Sequence, residues 1–471
     1  MVTRARAQAA PRVALAADDE RTAVEVARVA GERGVPVERL ALESAVAAPV
    51  GAIAYAPEAA PDAARAATLA RLAAAAAENR RPIVMLCAFG RPRPGRAAEE
   101  RAIVFAHLRA HGAVLCDDPD AWFETAVLLA AYGAPAGPRV ALVAPPGGWL
   151  AAQAAALAAE ETGGRLLYPP DGPGETDELP ADLVLVDARL DAPAASRAGR
   201  ALVVPLAARA ELMPGGERTA LVGLRAALAA AAAAARHAAR LAQGVGPAPA
   251  AEAKRLKVDR ARADKAMAVG GERLGDQESK LLLSAYGVPV TRQAVAHTPS
   301  AAVRYAEQIG WPVEMLPWDP ERDGAAVTGV RNPPDVRRGF GAAASAAGLA
   351  VGVPIIVRQT PPAGRSLAAR VERHASLGPM LLLDVPGAGP VAAPAPLRRA
   401  DADELAAALE ASRAGDAPPD RAALAELLQR ASFAAVHDES IEALVLTRIV
   451  VGAKGEGAMA VDARVRLKRK R

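Results

Sequence analysis

The sequence predicts an α/β protein in which two parallel-sheet domains precede a third, α+β domain. A chain of 471 residues is too long for one hydrophobic core and corresponds to about three domains. In its first half, short apolar runs of strand length alternate with alanine-rich segments of helix length. This alternation is typical of a parallel sheet with helices on both faces. The last third combines several strands with a few helices, which predicts a mixed or antiparallel sheet.

The first predicted domain covers residues 12–132. It begins with the strand VALAA, followed by a helix for which Gly34 is the expected stop. An alanine-rich helix is expected over 61–78, a buried strand over 83–89 and a further helix over 102–112.

The second predicted domain covers 137–242 and repeats the pattern. It contains the strand and turn RVALVAPPGGWL, the strands LVLVDARL and ALVVPL, and a long helix that follows Glu217. A segment rich in proline, alanine and charge, 243–272, is predicted to be a linker.

The third predicted domain covers 273–467. Asp276 is expected to cap a helix that places Leu282, Leu283 and Tyr286 on one face, since these positions are three and four residues apart. Thr298 with Pro299 is expected to begin the next helix. Residues 468–471 form a basic tail.

Charge and cysteine usage restrict the partners and the compartment. The net charge is only +4, so nucleic acid is not an expected partner, and the basic residues at the C-terminus are interpreted as a solvated tail. Cys87 and Cys116 lie in apolar runs, which favours a reducing compartment. Neither a secretory signal nor a membrane span is predicted. A cytoplasmic protein without a membrane partner is therefore expected.

Several phrases in order resemble the nucleoside-diphosphate-forming acyl-CoA synthetases, which include the ADP-forming acetate–CoA ligases. The segment LGDQESKLLLSAYGVPVTRQAVAHTPSAAVRYAEQIGWPV, 274–313, is similar to the start of that family's ATP-grasp domain. PPAGRSLAARVERHASLGP and MAVDARVRL are similar to later strands of the same domain. Upstream, RPIVMLCAFGRPRPG and GPRVALVAPPGG resemble the family's two flavodoxin-like ligase domains. The resemblance thus implies two flavodoxin-like domains followed by an ATP-grasp-like domain, without the family's CoA-binding Rossmann domain.

The resemblance also implies a chemistry, whose histidines are missing at the matching positions. The family relays phosphate through two histidines, because a neutral imidazole is a nucleophile near pH 7. After the strand PIVMLCAFG the chain continues through RAAEERAIV without the expected Ser-His-Thr-Gly stretch, and His107 and His111 come later, on a helix. The second histidine is expected between Pro312 and Val330, where this chain has none. No catalytic residue is therefore assigned.

The nucleotide site that the resemblance implies has also changed. The expected lysine is replaced at Leu316, the expected glutamate at Ser366 and the expected Asn-Pro pair at Thr447-Arg448. The segment 313–330 carries Arg322 against four acidic residues, Glu314, Asp319, Glu321 and Asp323. Its net charge, one minus four, is −3, which disfavours a triphosphate.

One aspartate and three arginines of this domain could still bind a metal or a nucleotide. Asp462 is the remaining candidate metal ligand. Arg358 and Arg365, with Arg370, could supply the missing positive charge.

The loops of the two ligase-like domains lead to different predictions. Asp18, Asp19 and Glu20 stand where the family has a phosphate-receiving loop, and three carboxylates are expected to complement the dipole of their own helix instead. Gly147 and Gly148 follow a strand and could approach a phosphate closely. They are the candidate cofactor-binding residues of this half.

Three functions remain open at this point. The first is a non-catalytic subunit, scaffold or regulator that works with a synthetase partner subunit or as a homo-oligomer. The second is a divergent but active acid–CoA ligase that uses ATP and CoA. The third is a sensor that binds an acyl-CoA or nucleotide without turnover. ATP with Mg²⁺ and CoA are the cofactors that the resemblance implies, and their binding is expected to be weak or lost.

Overall fold

The computed structural model describes most of the chain and divides it into two compact units. The described residues are 12–90, 92–145, 147–160, 166–167, 181–190, 201–209, 220–248, 258–269, 271–318, 326–346, 354–411 and 417–468. The first unit comprises the described residues within 12–90 and 107–246, and the second unit those within 92–106 and 247–468.

The first unit begins with a five-stranded parallel sheet. Its strands are β1 (Val13–Ala17), β2 (Val37–Arg39), β3 (Ala52–Ala56), β4 (Ile83–Leu86) and β5 (Val114–Cys116). The helices of this part of the chain are α1 (Glu20–Glu32), α2 (Leu42–Ala47), α3 (Ala63–Glu78), α4 (Arg96–Ala110) and α5 (Pro119–Ala131). The strand order β2-β1-β3-β4-β5 is that of flavodoxin-like folds.

A second parallel sheet in the same unit repeats this topology. Its strands are β6 (Val140–Val143), β7 (Leu166–Leu167), β8 (Leu183–Asp187), β9 (Leu202–Ala207) and β10 (Leu221–Val222), and its helices are α6 (Trp149–Glu160) and α7 (Leu224–Gln243). The order β10-β9-β8-β6-β7 is the flavodoxin-like order, counted from the other edge. The predicted pair of flavodoxin-like parallel sheets is confirmed.

The two sheets of the first unit share one hydrophobic core. Buried residues of both belong to it, among them Leu128 of α5, Leu142 of β6 and Leu224 of α7. Helices α5 and α7 pack directly against each other. Because alanine supplies much of the α7 face, including Ala227, Ala230 and Ala234, the helices can approach closely with few large rings between them.

The second unit contains two antiparallel sheets. The larger sheet consists of β11 (Arg273–Leu274), β16 (Arg365–His374), β17 (Gly378–Val385), β18 (Gly389–Pro394), β19 (Ile441–Val451) and β20 (Ala458–Leu467), in the order β11-β20-β19-β16-β17-β18. The smaller sheet consists of β12 (Gln293–Ala296), β13 (Val313–Pro317), β14 (Val327–Val330) and β15 (Ile355–Gln359), in the order β12-β15-β13-β14. The helices are α8 (Arg260–Val269), α9 (Asp276–Ala285), α10 (Pro299–Ile309), α11 (Pro333–Ala346), α12 (Arg399–Ala411) and α13 (Arg421–His437). The predicted α+β character of this part is confirmed.

The structure corrects the sequence prediction in the segment 243–272, which was expected to be a linker. Residues Arg260–Val269 form α8, and Ala263 and Ala266 are fully buried in the core of the second unit. The small side chains at i and i+3 form a buried face that composition alone did not reveal.

The N-terminus of α9 also differs from its prediction. Gly275 is the N-cap residue, without a side-chain cap, and Asp276 is the first helical residue. The Asp276 carboxylate instead accepts hydrogen bonds from the backbone N–H of Ala463 and from Gln293 Nε2. A tertiary contact has thus replaced the expected local one.

Helix α4 starts earlier than expected and belongs partly to the second unit. It begins at Arg96 rather than 102, and residues 92–106, placed by the sequence in the first predicted domain, group with the second unit. Ala102, Ile103 and Ala106 pack there against Met380, Leu382 and Ala392 of β17 and β18. The sequence predicted a helix here but not the sheet that this helix covers.

The remaining local predictions for α9 and α10 are confirmed. Leu282, Leu283 and Tyr286 are fully buried in the core of the second unit. The Thr298 hydroxyl accepts a hydrogen bond from the backbone N–H of Ala301 and caps α10, which ends at Gly310. Among the described helices, none is both long and apolar enough to cross a bilayer.

We expect Leu283→Ala to lower the free energy of unfolding by about 2 to 5 kcal/mol, because it leaves a cavity at a site with no solvent access. Urea denaturation of the whole chain, followed at the transition of the second unit, measures this loss. Leu283→Met is the control, since it conserves volume and should cost less than about 1.5 kcal/mol. A loss below about 1 kcal/mol for the alanine variant would mean that this face of α9 has been misassigned.

Candidate functional site

The most concentrated buried charge in the described part of the second unit surrounds Arg358. This residue lies on β15, the strand between β12 and β13 in the smaller sheet. Antiparallel pairing places Gln293 of β12 and Glu314 of β13 directly opposite Arg358 on either side. Directly opposed residues project from the same face of a sheet, so these three side chains form a polar row across three strands.

Arg358 is held between two carboxylates. Its Nη2 and Nε donate to Glu314 Oε2 at 2.8 and 3.2 Å, and its Nη1 donates to Asp462 of β20 and, at 3.1 Å, to the carbonyl oxygen of Val461. The Arg358 side chain is 2% exposed and that of Glu314 5%. Burial by itself would lower the pKa of Arg358, but the neighbouring carboxylates of Asp462 and Glu314 raise it overall.

Lys280 of α9 extends the network through its hydrogen bond to Gln293 of β12. Its Nζ lies 2.8 Å from Asp276 Oδ2 and donates to Thr291 Oγ1 at 3.0 Å and to Gln293 Oε1 at 2.6 Å. Burial lowers the pKa of Lys280, and the Asp276 carboxylate opposes this effect. Gln293 therefore belongs both to the polar row and to the surroundings of Lys280.

The described network contains two cations, Arg358 and Lys280, and three carboxylates, Asp276, Glu314 and Asp462. Two minus three gives a formal charge of −1 before any ligand is present. A buried charge is tolerated when it is paired and hydrogen-bonded. In this set of five residues, named below the Arg358 network, every charged group has a partner of opposite charge within the set.

The structure gives the predicted site residues of the second unit different surroundings. It brings Arg358 and Asp462 together, whereas Arg365 donates to the carbonyl oxygens of Leu409 and Ala417. Arg370 pairs with Glu99. Asp319, Glu321, Arg322 and Asp323, counted in the charge of 313–330, lie outside the described residues.

Asp19 and Glu20 of the acidic loop after β1 lie at the start of their own helix, as the sequence predicted, whereas Asp18 contacts Tyr55. Asp19 caps α1 by accepting from the backbone N–H of Thr22 at 2.8 Å, and this hydrogen bond lowers the pKa of Asp19. Asp18 accepts from the Tyr55 hydroxyl at 2.9 Å, and Glu20 pairs with Arg39. Burial raises the pKa of Tyr55 to about 12, so this hydroxyl stays protonated and donates.

Gly147 and Gly148 lie in the loop between β6 and α6. Gly147 has a φ of +71°, which favours glycine. A Cβ built on Gly148 would lie 3.8 Å from Arg189 Nη2. Arg189 is itself paired with Asp187 at the end of β8, with its Nη2 2.7 Å from Asp187 Oδ2. The Arg189 guanidinium beside Gly148 therefore already has a carboxylate partner.

Sequence reasoning missed Glu314 and Lys280 as members of the buried network. Glu314 was counted in the net charge of the segment 313–330, yet it lies within the otherwise apolar strand VEMLP. A charge within such a strand is a signal that a partner lies opposite. Among the described residues, no group of three or more His, Cys, Asp or Glu is arranged to hold a metal ion.

Comparisons with known proteins identify the class of the second unit. Residues 265–467 match the family model of an ATP-grasp domain. This part of the chain is therefore identified as an ATP-grasp domain.

Two curated relatives each match somewhat less than half of the chain. The beta subunit of ADP-forming acetate–CoA ligase II from Pyrococcus furiosus is 27% identical over 229 residues, which are 44% of this chain and 96% of that subunit. The ADP-forming 4-hydroxybutyrate–CoA ligase of Nitrosopumilus maritimus is 25% identical over 212 residues, 41% of this chain and 30% of that enzyme. The match thus spans nearly all of one relative and less than a third of the other. The resemblance to the ADP-forming acid–CoA ligases, stated from the sequence, is confirmed.

Solved structures with some likeness to the chain come from Candidatus Korarchaeum cryptofilum. Its dinucleotide-forming acetyl-coenzyme A synthetase 1, in complex with coenzyme A, Ca-AMPCP and HgCl⁺, matches at 24% identity with a TM-score of 0.40, over 44% of this chain and 99% of that one. The same synthetase in complex with phosphate and ADP matches at 16% identity with a TM-score of 0.35, over 50% and 66%.

We expect Arg358→Met to destabilise the protein by about 3 to 5 kcal/mol, because it leaves Glu314 buried without a cation. Removing both charges in Arg358→Met/Glu314→Met should cost less than the sum of the single changes, with a coupling of about 0.5 to 3 kcal/mol. Urea denaturation of the four proteins gives the coupling. Arg399→Met, in an exposed pair with Asp403, is the control and should cost less than about 1 kcal/mol. Strictly additive losses would show that the pair is not a coupled unit.

Proposed function

We propose that this chain is a non-catalytic homologue of the ADP-forming acyl-CoA synthetases that acts as a subunit or regulator. The observation that carries the proposal is the pairing of Arg358 with both Glu314 and Asp462. Asp462 is the candidate metal-side carboxylate that the resemblance implies, and Arg358 is one of the three arginines that could replace the missing lysine. Each neutralises the other instead of a ligand.

Energetics argue against a rearrangement that would free these groups. Separating one partner from a buried ion pair costs about 3 to 5 kcal/mol. The binding of Mg-ATP would have to supply this free energy before any net affinity remained. At about 1.4 kcal/mol per tenfold change, such a cost lowers affinity by about two to three and a half orders of magnitude. The residues of the Arg358 network therefore do not fit Mg-ATP, and we derive no catalytic step through it.

The segment after β4 supports the same proposal. In the resembled family this position carries the first relay histidine, whereas here it leads into α4 with Glu99 and Glu100. Within the second unit Glu99 pairs with Arg370, and Glu100 lies 3.1 Å from His374 Nε2. Contacts of Glu99 and Glu100 with β16 occupy this segment, whose sequence has no nucleophile to carry phosphate.

The homology also suggests the kind of assembly. One relative is itself named a beta subunit, so we propose that this chain works with a synthetase partner subunit or as a homo-oligomer. A cytoplasmic location remains a prediction, with which the buried free cysteines Cys87 and Cys116 are compatible.

The alternative function is a divergent but active acid–CoA ligase that uses ATP and CoA, and the match of the ATP-grasp domain favours it.

Wild-type protein should bind Mg-ATP weakly or not at all in a calorimetric titration. Leu316→Lys, which restores the lysine that the resemblance implies, should fail to create tight binding. Leu316 lies two residues from Glu314 on β13 and so projects from the same face. A lysine there would join the carboxylate already paired with Arg358, while Ser366 and Thr447 still supply no metal ligand. Leu316→Met is the matched control for the changed side-chain shape.

A dissociation constant in the low micromolar range for wild type would overturn the proposal and favour the active ligase. ADP and CoA are titrated in the same way, which distinguishes a site retained for ADP or for CoA from a site retained for ATP.

Purified protein incubated with labelled ATP or with labelled acetyl phosphate should acquire no acid-labile phosphohistidine, because neither relay histidine is present at its matching position. His107 on α4 and His111 just after its end are the nearest substitutes in sequence, and their ring centroids lie 4.2 Å apart with the rings tilted by 40°. The assay is quantified by acid treatment and mass spectrometry, with His107→Gln/His111→Gln as the comparison. Stoichiometric label that disappears on replacing one histidine would contradict the prediction.

A further inference from the structure

Helix α1 exposes a row of charged side chains on one face. The row alternates in sign and consists of Arg21, Glu25, Arg28 and Glu32. Spacings of four, three and four residues place these positions above one another on the helix surface. In the described part of the chain the ion pair of this row lies inside α1, where Arg28 Nη1 is 2.5 Å from Glu32 Oε1. All four residues are exposed, so this set, named the charged row, faces solvent.

Other residues of α1 hold the helix in the first unit. Ala23 and Ala30 form its buried face, and Asp19 caps its start. At its end, the buried Arg33 side chain pairs with Glu124 of α5. These described contacts do not use the charged row, which therefore has no part in attaching α1 to its own unit.

The order of the charges makes the row complementary to a second copy of itself. When two copies of α1 lie antiparallel about a two-fold axis, Arg21 faces Glu32 of the second copy. Glu25 then faces Arg28 of the second copy, and the symmetry repeats both contacts. Opposite charges thus meet at every position of the row. Such complementarity selects partner and register more than it adds raw affinity.

Other antiparallel registers of the same two helices bring like charges together. A shift of four residues in one direction places Arg21 opposite Arg28 of the second copy. The same shift in the other direction places Glu25 opposite Glu32 of the second copy. Like charges in these positions repel, so the charged row specifies one register.

Apolar groups beside the row fit the same arrangement. Val24 and Val29 are 51% and 38% exposed and are among the four exposed large apolar side chains of the described chain. Gly31 lies on the Val24 side of the row, and a Cβ built on it would meet no described atom within 4 Å. Glycine weakens a helix relative to alanine, and no contact within the described chain accounts for it. In the antiparallel register Gly31 lies beside Val24 of the second copy, where a missing side chain permits close approach.

We propose that α1 is the surface through which two copies of this chain associate, antiparallel about a two-fold axis. The inference deepens the homo-oligomer named in the proposed function and rests on it. A helix of 13 residues is about 20 Å long, so two such helices bury less than the roughly 1,000 Å² of a stable interface. The dimer is therefore weak, with a dissociation constant of about 10 to 500 µM at low salt.

The test is analytical ultracentrifugation of the full chain over a concentration series that reaches about 500 µM. The dimer should form at about 0.05 M salt and weaken at least about tenfold at about 0.5 M, because salt screens charges on an exposed surface. A protein that stays monomeric at low salt throughout the series would overturn the proposal and leave the charged row to a different partner. A dimer that does not respond to salt would overturn it as well.

Charge reversal identifies the surface. Arg21→Glu/Arg28→Glu makes the row wholly acidic, and Glu25→Arg/Glu32→Arg makes it wholly basic. Each variant alone should dimerise at least about tenfold more weakly than wild type. An equimolar mixture of the two should dimerise at least as tightly as wild type, since every facing pair is then of opposite charge. A mixture no better than its separate components would contradict the assignment.

Two further variants separate association from folding and from net charge. Reversal of all four charges, Arg21→Glu/Glu25→Arg/Arg28→Glu/Glu32→Arg, keeps the alternation along α1 and the complementarity between copies. It should dimerise within about threefold of wild type. Loss of its association would overturn the register.

Arg338→Glu/Arg399→Glu is the control for net charge. It changes the charge as much as the acidic variant does, but in exposed pairs of α11 and α12, and should alter dimerisation less than about twofold. A dimer that ignores reversal of the charged row would show that the homo-oligomer uses another surface. Titration of Mg-ATP into the same variants tests the proposed function separately, since tight nucleotide binding would overturn that proposal whatever α1 contacts.

Discussion

The interior of the second unit is organised by the requirement that Arg358 must not be buried alone. A guanidinium that is 2% exposed needs carboxylates within hydrogen-bond distance, since an isolated buried charge costs many kcal/mol. Glu314 meets this requirement from the neighbouring strand of the smaller sheet, and Asp462 meets it from β20 of the larger one. One cation thereby joins the two antiparallel sheets of the ATP-grasp domain, and its presence decides which other polar groups this space can hold.

The same constraint links the structure to the proposed loss of nucleotide chemistry. A nucleotide site needs uncommitted positive charge for phosphate and uncommitted carboxylate oxygens for Mg²⁺. In the Arg358 network both kinds of group are present, but they pair with one another through charge-assisted hydrogen bonds. The resemblance implies a lysine near position 316, where this chain has leucine, and Glu314 provides an internal anion for Arg358. Under this proposal, a ligand-binding arrangement and a self-paired one differ by very few residues on the same strands.

The fold could be predicted from the sequence further than the site could. The alternation of apolar strands with alanine-rich helices indicates parallel sheets, and the i, i+3, i+4 spacing of Leu282, Leu283 and Tyr286 indicates a buried helix face. These are local signals. Arg358, the partner of Glu314, lies 44 residues away along the chain. Ala463, whose backbone N–H bonds to Asp276, lies 187 residues away. Periodicity could not reveal either of these two contacts. For the same reason α8 was interpreted as linker, because the face formed by Ala263 and Ala266 acquires meaning only from the core that it meets.

Unsatisfied buried polar atoms occur in both units, which sets the Arg358 network apart from its surroundings. The described polar side chains around Arg358 donate and accept among themselves, whereas Gln277 Oε1 and Thr360 Oγ1 of the same unit are buried without a partner in the described chain. In the first unit the Arg33–Glu124 pair is also buried, and Arg33 Nε is unsatisfied within the described chain. A buried polar atom without a partner is unfavourable by about 1 to 3 kcal/mol. The mutual pairing around Arg358 is therefore a property of that network and not of the buried polar groups in general.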